Sequence, residues 1–185
     1  MGTAKAWLPV AGIPVIERVI AACDEVLDDV VIVGPAQLDA SSRYAALGRE
    51  VWPDEIPDRG PLGGLYTAFQ KGCRQGAILL PCDMPFITSA FLQFLLDQQP
   101  RPDAVIPETA HGIQPLCALY ARSCAPAILD ALEGDDFSMR ALVARLKTRF
   151  VKREDFAALD PDGVLLTNLN TPEEYEAALK TAERD

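Results

Sequence analysis

The chain has 185 residues and carries a net charge of −10, from 27 acidic and 17 basic side chains with its single histidine neutral. That charge excludes nucleic acid and an acidic membrane surface as partners, because their phosphates would be repelled. Hydrophobic residues at 49% and charged ones at 24% exclude a disordered chain and suffice for one domain, residues 1–185, with a core that needs no staples.

No apolar run approaches the roughly 20 residues of a membrane span. The start, MGTAKAWLPV, lacks the long apolar stretch of a secretory signal, so a cytoplasmic location is expected. The five cysteines, Cys23, Cys73, Cys82, Cys117 and Cys124, form no C-x-x-C pair and read as reduced, small hydrophobes. His111 alone cannot build a zinc site with cysteines so scattered, and it reads as an exposed loop residue.

Pro14 stands at a first helical position, and Val15, Ile16, Val19, Ile20, Cys23 and Val26 recur at three- and four-residue steps, which predicts an amphipathic helix over 14–27. Val30–Val33 is a β-branched run stopped by Gly34-Pro35, as expected of a buried parallel strand. A weaker strand follows over 49–53. Gly60-Pro61-Leu62-Gly63-Gly64 is a turn opening a helix that carries Leu65, Tyr66 and Phe69. Ala77–Leu80 is the strongest core strand and ends in Pro81-Cys82-Asp83. Thr88 caps a helix through about 98, with Phe91, Leu92 and Leu95 facing inward.

Strand-like runs lie at Ala104–Pro107 and Pro115–Tyr120, and helices near 123–133 and 138–147. Val164–Leu166 reads as a last short strand. Thr171-Pro172-Glu173-Glu174 opens a helix with a capping box, Thr as N-cap and Glu three residues on. Alternation at these lengths implies a layered α/β domain with a mostly parallel sheet.

In such a sheet, ligands bind beyond the carboxyl ends of the strands. The groups found there are Gly34-Pro35, Asp54 with the Asp58–Gly64 turn, Asp83, and Asn168 with Asn170. Asp83, fixed between Pro81 and Pro85, suits a hard cation such as Mg²⁺, which takes one or two carboxylates plus phosphate oxygens and water; alternatively it pins its turn or caps the helix near Thr88. The glycines of 60–64 let backbone approach an anion or a base edge, or simply make a tight turn. Lys5 neutralises a phosphate or is a surface lysine. Asn168 and Asn170 flank Leu169 and point alike if extended, or form a turn before Thr171.

In order, M-G-T-A-K-A at 1–6, G-I-P-V-I-E-R-V at 12–19, W-P-D at 52–54, G-P-L-G-G-L at 60–65, L-P-C-D-M-P-F at 80–86, G-I-Q-P-L-C-A-L-Y at 112–120 and N-L-N-T-P-E-E-Y at 168–175 resemble the molybdenum cofactor guanylyltransferase (MobA) family over nearly the whole chain. The resemblance implies a three-layer, Rossmann-like nucleotidyltransferase fold. It also implies transfer of GMP from Mg·GTP to molybdopterin cofactor with release of pyrophosphate. By the same resemblance, Lys5 contacts the nucleotide phosphates, Asp54 belongs to the guanosine site and Gly60 and Leu62 to GTP binding. Asp83 ligates Mg²⁺, Asn168 and Asn170 lie near the reacting phosphates, and Gln114 lies near the pterin. GTP and molybdopterin cofactor are the implied small-molecule partners, with molybdoenzymes or other cofactor-biosynthesis proteins as macromolecular ones.

The sequence departs from the family pattern in three places. The family opens with an apolar strand and a Gly-rich loop ending in Arg-Met-Gly, whereas this sequence begins at that Met. The expectation is a longer product or a degraded relative whose Val30–Val33 and Ala77–Leu80 lack a shared neighbour and whose transfer is slow. Ala4 stands where an aspartate is usual, and Gly34-Pro35 replaces a stretch that often carries an asparagine. The rival readings are a cytidylyl- or sugar-phosphate nucleotidyltransferase on the same architecture, and a non-catalytic molybdopterin-binding protein.

Overall fold

The strands are short where Gly or Pro follows an apolar run, as Gly34-Pro35 follows Val30–Val33 and Pro81 follows Ala77–Leu80. The computed structural model describes residues 5–35, 43–98, 102–134 and 136–183. In chain order its elements are β1 (Pro9–Val10), β2 (Ile13–Pro14), α1 (Val15–Asp24), β3 (Val31–Gly34), β4 (Glu50–Pro53), α2 (Gly60–Lys71), β5 (Gly76–Leu79), α3 (Ser89–Leu96), β6 (Ala104–Thr109), β7 (Gly112–Ile113), β8 (Ala118–Ala121), α4 (Ala125–Glu133), α5 (Met139–Val143), β9 (Thr148–Lys152) and α6 (Pro172–Ala182). They form two compact units. The first draws on residues 1–29, 81–94 and 156–185, the second on 30–80 and 95–155.

In the first unit β1 and β2 form an antiparallel hairpin that pairs Val10 with Ile13. Its two-residue turn needs left-handed backbone at both positions, supplied by Ala11 (φ 50°) and Gly12 (φ 78°). Pro14 is the N-cap of α1 rather than its first residue, since its ψ of 138° is extended. Val15, Ile16, Val19, Ala22 and Cys23 then face the core. Thr88 caps α3 as expected, its Oγ1 accepting from the Phe91 amide at 3.3 Å. The Phe91 ring meets Phe156 edge-on at 5.1 Å. Phe91, Leu92 and Leu95 are fully buried, and each such side chain contributes about 1.5–3 kcal/mol.

Val164–Leu166 is a turn, not a strand. Oδ1 of buried Asp160 accepts from the amides of Val164 (2.8 Å) and Leu165 (3.0 Å), and Thr167 N–H closes back on Val164 O. With the Val164 and Leu165 amides taken locally, the segment does not join a ladder.

The second unit holds a parallel β3–β4 pair and a five-stranded sheet. In that sheet β8 lies antiparallel between β5 and β6, β7 turns back antiparallel on β6, and β9 runs parallel along the other edge of β6. Strand β9 and the β1–β2 hairpin are elements that the apolar pattern did not announce. Leu62, Leu65 and Phe69 of α2 pack with Ala104, Ile106, Ala118, Tyr120, Ile128 and Leu142. Helix α2 touches both β3 and β5. Yet these two strands stay half-exposed, and among the described residues each has one partner and no shared neighbour. The second helix expected over 138–147 ends at Val143.

Candidate active site

In the first unit, four of the expected residues come together. Lys5 opens a 3-10 turn closed by Leu8 N–H on Lys5 O at 3.1 Å. Its Nζ donates to Asn170 Oδ1 at 2.7 Å and stands 4.0 Å from Asp83 Oδ2. The amide of Leu169 donates to Asp83 O at 3.0 Å, stitching the 168–170 segment to the Asp83 loop. Leu169 is fully buried between half-buried Asn168 and exposed Asn170. At the far end of the loop Arg18 Nε donates to Pro85 O at 2.9 Å, with Met84 buried beneath.

The polar groups of this corner are only partly used. Oδ1 of Asp83 and Oδ1 of Asn168 are both buried without a hydrogen-bond partner. Burial pushes the Asp83 carboxyl above the usual carboxylate range; Lys5 pulls the other way and the Glu174 charge adds to the rise. Buried oxygens with no donor are costly unless a ligand completes them. Among the described residues no group of three or more His, Cys, Asp or Glu could hold a metal by itself. A cation here would therefore take Asp83 with an amide oxygen and ligands brought by a substrate.

The second unit holds Asp54 at the end of β4. Its amide donates to Gly34 O at 2.7 Å, its Oδ1 is buried without a partner, and burial raises its carboxyl. Buried Thr67 fixes the following residue by accepting from Glu55 N–H at 3.0 Å. The motif expected as a turn is the first turn of α2 itself. Gly60 is left-handed at φ +54°, and a Cβ on Gly63 would lie 3.0 Å from Ile56 O and 3.1 Å from Arg59 Cβ. Leu62 is wholly buried, whereas Gly60 is exposed and leaves its backbone open to a ligand. Gln114 lies on the β7–β8 connection, its amide bound to Pro107 O at 2.8 Å. His111 is exposed, as expected.

Residues 1–150 match the MobA-like NTP transferase domain. The chain belongs to this family. The molybdenum cofactor guanylyltransferase of Desulfosudis oleivorans is 32% identical over 178 residues, which cover 96% of this chain and 86% of that protein. A probable molybdenum cofactor guanylyltransferase of Pelotomaculum thermopropionicum is 30% identical over 183 residues, covering 99% and 87%. The crystal structure of molybdopterin-guanine dinucleotide biosynthesis protein A from Archaeoglobus fulgidus superposes with a TM-score of 0.86 at 22% identity, over 100% of this chain and 93% of that one. The fold is thus the Rossmann-like fold of the nucleotidyltransferases, and the MobA-like chain is a transferase. The Ala4 departure from the family pattern lies outside the described residues; the Gly34-Pro35 departure leaves Gly34 O as the acceptor for Asp54.

One participant at the MobA-like site was not singled out from the sequence. Oε2 of Glu174 accepts from the amide of Asn170 at 2.5 Å as well as from that of Thr171 at 2.9 Å. The capping-box pattern announces the second bond and is silent on the first.

Proposed function

We propose that the chain transfers GMP from GTP to molybdopterin cofactor, giving the guanine dinucleotide form and pyrophosphate. The observation that carries the reading is the corner where an ammonium, Lys5 Nζ, lies 4.0 Å from the Asp83 carboxylate, whose Oδ1 is buried without a partner, while Asn168, on the segment bound to the Asp83 loop, has a second such oxygen. That donor set fits Mg²⁺, which favours oxygen ligands and accepts a single carboxylate when phosphates and water supply the rest. When bound, the ion would offset charge on the phosphates as pyrophosphate leaves.

The residues of the chain have separate tasks. Lys5 offsets the charge of the nucleotide phosphates, and Asn170 holds its ammonium in place. Asp83 and Asn168 would hold the cation. Asp54 accepts hydrogen bonds from the guanosine, which would complete its orphan oxygen, and exposed Gly60 supplies a helix-terminal N–H group, with Leu62 packed beneath it to hold that turn. Gln114 is assigned to the pterin side. A terminal phosphate oxygen of the acceptor attacks the α-phosphorus of GTP, and the bond to the bridging oxygen of pyrophosphate breaks. A phosphate is already anionic at neutral pH, so no general base is needed and rate comes from positioning and charge neutralisation. The reaction is assigned to the cytoplasm, a reducing compartment that suits five cysteines, none of them in a disulfide. Among the described residues no helix is long and apolar enough to cross a membrane.

The test supplies the purified chain with molybdopterin cofactor, Mg²⁺ and either GTP or CTP, and follows the dinucleotide and pyrophosphate. Guanine dinucleotide from GTP, with little product from CTP, is expected. Preference for CTP, or molybdopterin binding with no nucleotide binding, would replace this reading with one of its rivals.

A further inference from the structure

A lysine side chain is long and loses rotamer freedom when fixed, so Lys5 serves a phosphate only as well as its anchor is held. That anchor is Asn170 Oδ1, on an exposed residue just ahead of α6. What holds Asn170 is Glu174.

In an ordinary capping box the third helical residue accepts from the N-cap amide alone. Here the box is complete, with Thr171 Oγ1 accepting from Glu174 N–H at 3.2 Å and Glu174 Oε2 accepting from Thr171 N–H at 2.9 Å. The same Oε2 also takes the amide of Asn170, at 2.5 Å. The carboxylate therefore fixes the backbone of the residue whose side chain holds Lys5. The next residue completes the grip, since the Tyr175 hydroxyl donates to Pro9 O at 2.7 Å, four residues beyond Lys5. One turn of α6 thus ties down both the lysine's segment and its partner.

We infer that Glu174 is a positioning residue for nucleotidyl transfer: by holding the Asn170 and Thr171 amides on one oxygen, it sets Asn170 Oδ1 and through it Lys5 Nζ. This rests on the reading of Lys5 as the phosphate-neutralising group. A helix cap alone would stabilise α6 without any effect on Lys5, which is what separates the two roles.

The test compares Glu174→Ala and Glu174→Gln, each alone and in an Asn170→Ala background, by kcat, KM for Mg·GTP, melting temperature and the rate of reductive methylation of Lys5. Glu174→Ala is expected to lower kcat about tenfold, the effect of about 1.4 kcal/mol. Lys5 should react several-fold faster, and Tm should fall by about 2–4 °C, as for a lost cap. Glu174→Gln keeps an acceptor oxygen and should restore kcat and Lys5 protection to within about twofold, since Gln serves in the same box. In the Asn170→Ala background Glu174→Ala should still lower Tm but should change neither kcat nor Lys5 labelling further. Equal losses of kcat in both backgrounds, or unchanged Lys5 labelling in Glu174→Ala, would overturn the inference. Labelling needs no turnover, so a wild-type chain that transfers no GMP overturns the proposed reaction while the Lys5 rates still decide the role of Glu174.

Discussion

The corner at the start of β6 and the corner after β5 are each built on an aspartate, and the two are finished differently. Asp103 accepts from Ser123 Oγ at 2.5 Å and from Lys147 N–H at 3.0 Å, while its own backbone binds Lys147 O and Ala121 N–H. The Ser123 hydroxyl and the Lys147 amide hold its carboxyl below the usual range. Asp83 has one lysine at 4.0 Å and a buried oxygen with no donor, and burial holds its carboxyl above that range. Depth is not what separates them: Asp160 is 5% exposed, yet its Oδ1 receives two amides. Donor supply is the difference. A carboxylate whose donors come from the fold is a structural joint, whereas one whose donors are missing is open to completion by a ligand.

The largest effect that sharpens this contrast is expected from Asp83→Asn. Turnover should fall by about 10²–10³-fold, the scale on which removing a charge-stabilising group acts, while Tm stays level or rises. The sign follows from linkage. With its folded pKa raised, Asp83 contributes stability that is present below about pH 4, the unfolded value, and lost as pH rises through the folded value. Calorimetry at pH 4 and pH 7 checks it: any gain in Tm from Asn belongs at pH 7. A large fall in Tm with normal turnover per folded molecule would make Asp83 a joint like Asp103.

Asp54→Asn should come next. Losing one charged acceptor is worth about 1.5–3 kcal/mol, so the Kd for GTP measured by titration should rise roughly ten- to hundred-fold. Its carboxyl is likewise raised by burial, so the substitution should not destabilise the free protein at neutral pH. An unchanged Kd with a lower Tm would move Asp54 to the structural side of the comparison.

Smallest is Asp103→Asn, which should leave GMP transfer unchanged and lower Tm by about 2–4 °C at pH 7, close to 1 kcal/mol for a chain of this size. With its folded pKa depressed, Asp103 contributes stability that is present above about pH 4 and lost as pH falls through the folded value. The Tm difference between wild type and variant should therefore shrink as pH falls below about 4. A difference that persists there would assign the effect to packing.

Much of this was legible because it is local. The steps of α1, the β-branched run of β3, the inward Phe91, Leu92 and Leu95 and the Thr171 cap are set by neighbours in sequence, and the structure keeps them. What escaped depends on distant partners. Strand β9, T-R-F-V-K, leaves Phe150 44% exposed and exists through its register with β6, so no apolar stripe marks it. Val164–Leu166 reads as a strand because three apolar residues do not show that Asp160 holds the amides of the first two. Four candidate residues, Lys5, Asp83, Asn168 and Asn170, are visible as chemistry at segment ends. The bond from Asn170 to Glu174 was hidden, because a capping-box pattern describes the amide of Thr171 only.

The most direct test of the contrast is a titration of GTP into the wild-type chain and into Asp83→Asn, each with and without Mg²⁺. The account predicts that Mg²⁺ tightens GTP binding at least about tenfold in the wild type, a gain of about 1.4 kcal/mol, and leaves the variant unchanged. Equal tightening in both proteins would show that the unpartnered oxygen of Asp83 is not the group a metal–phosphate ligand completes.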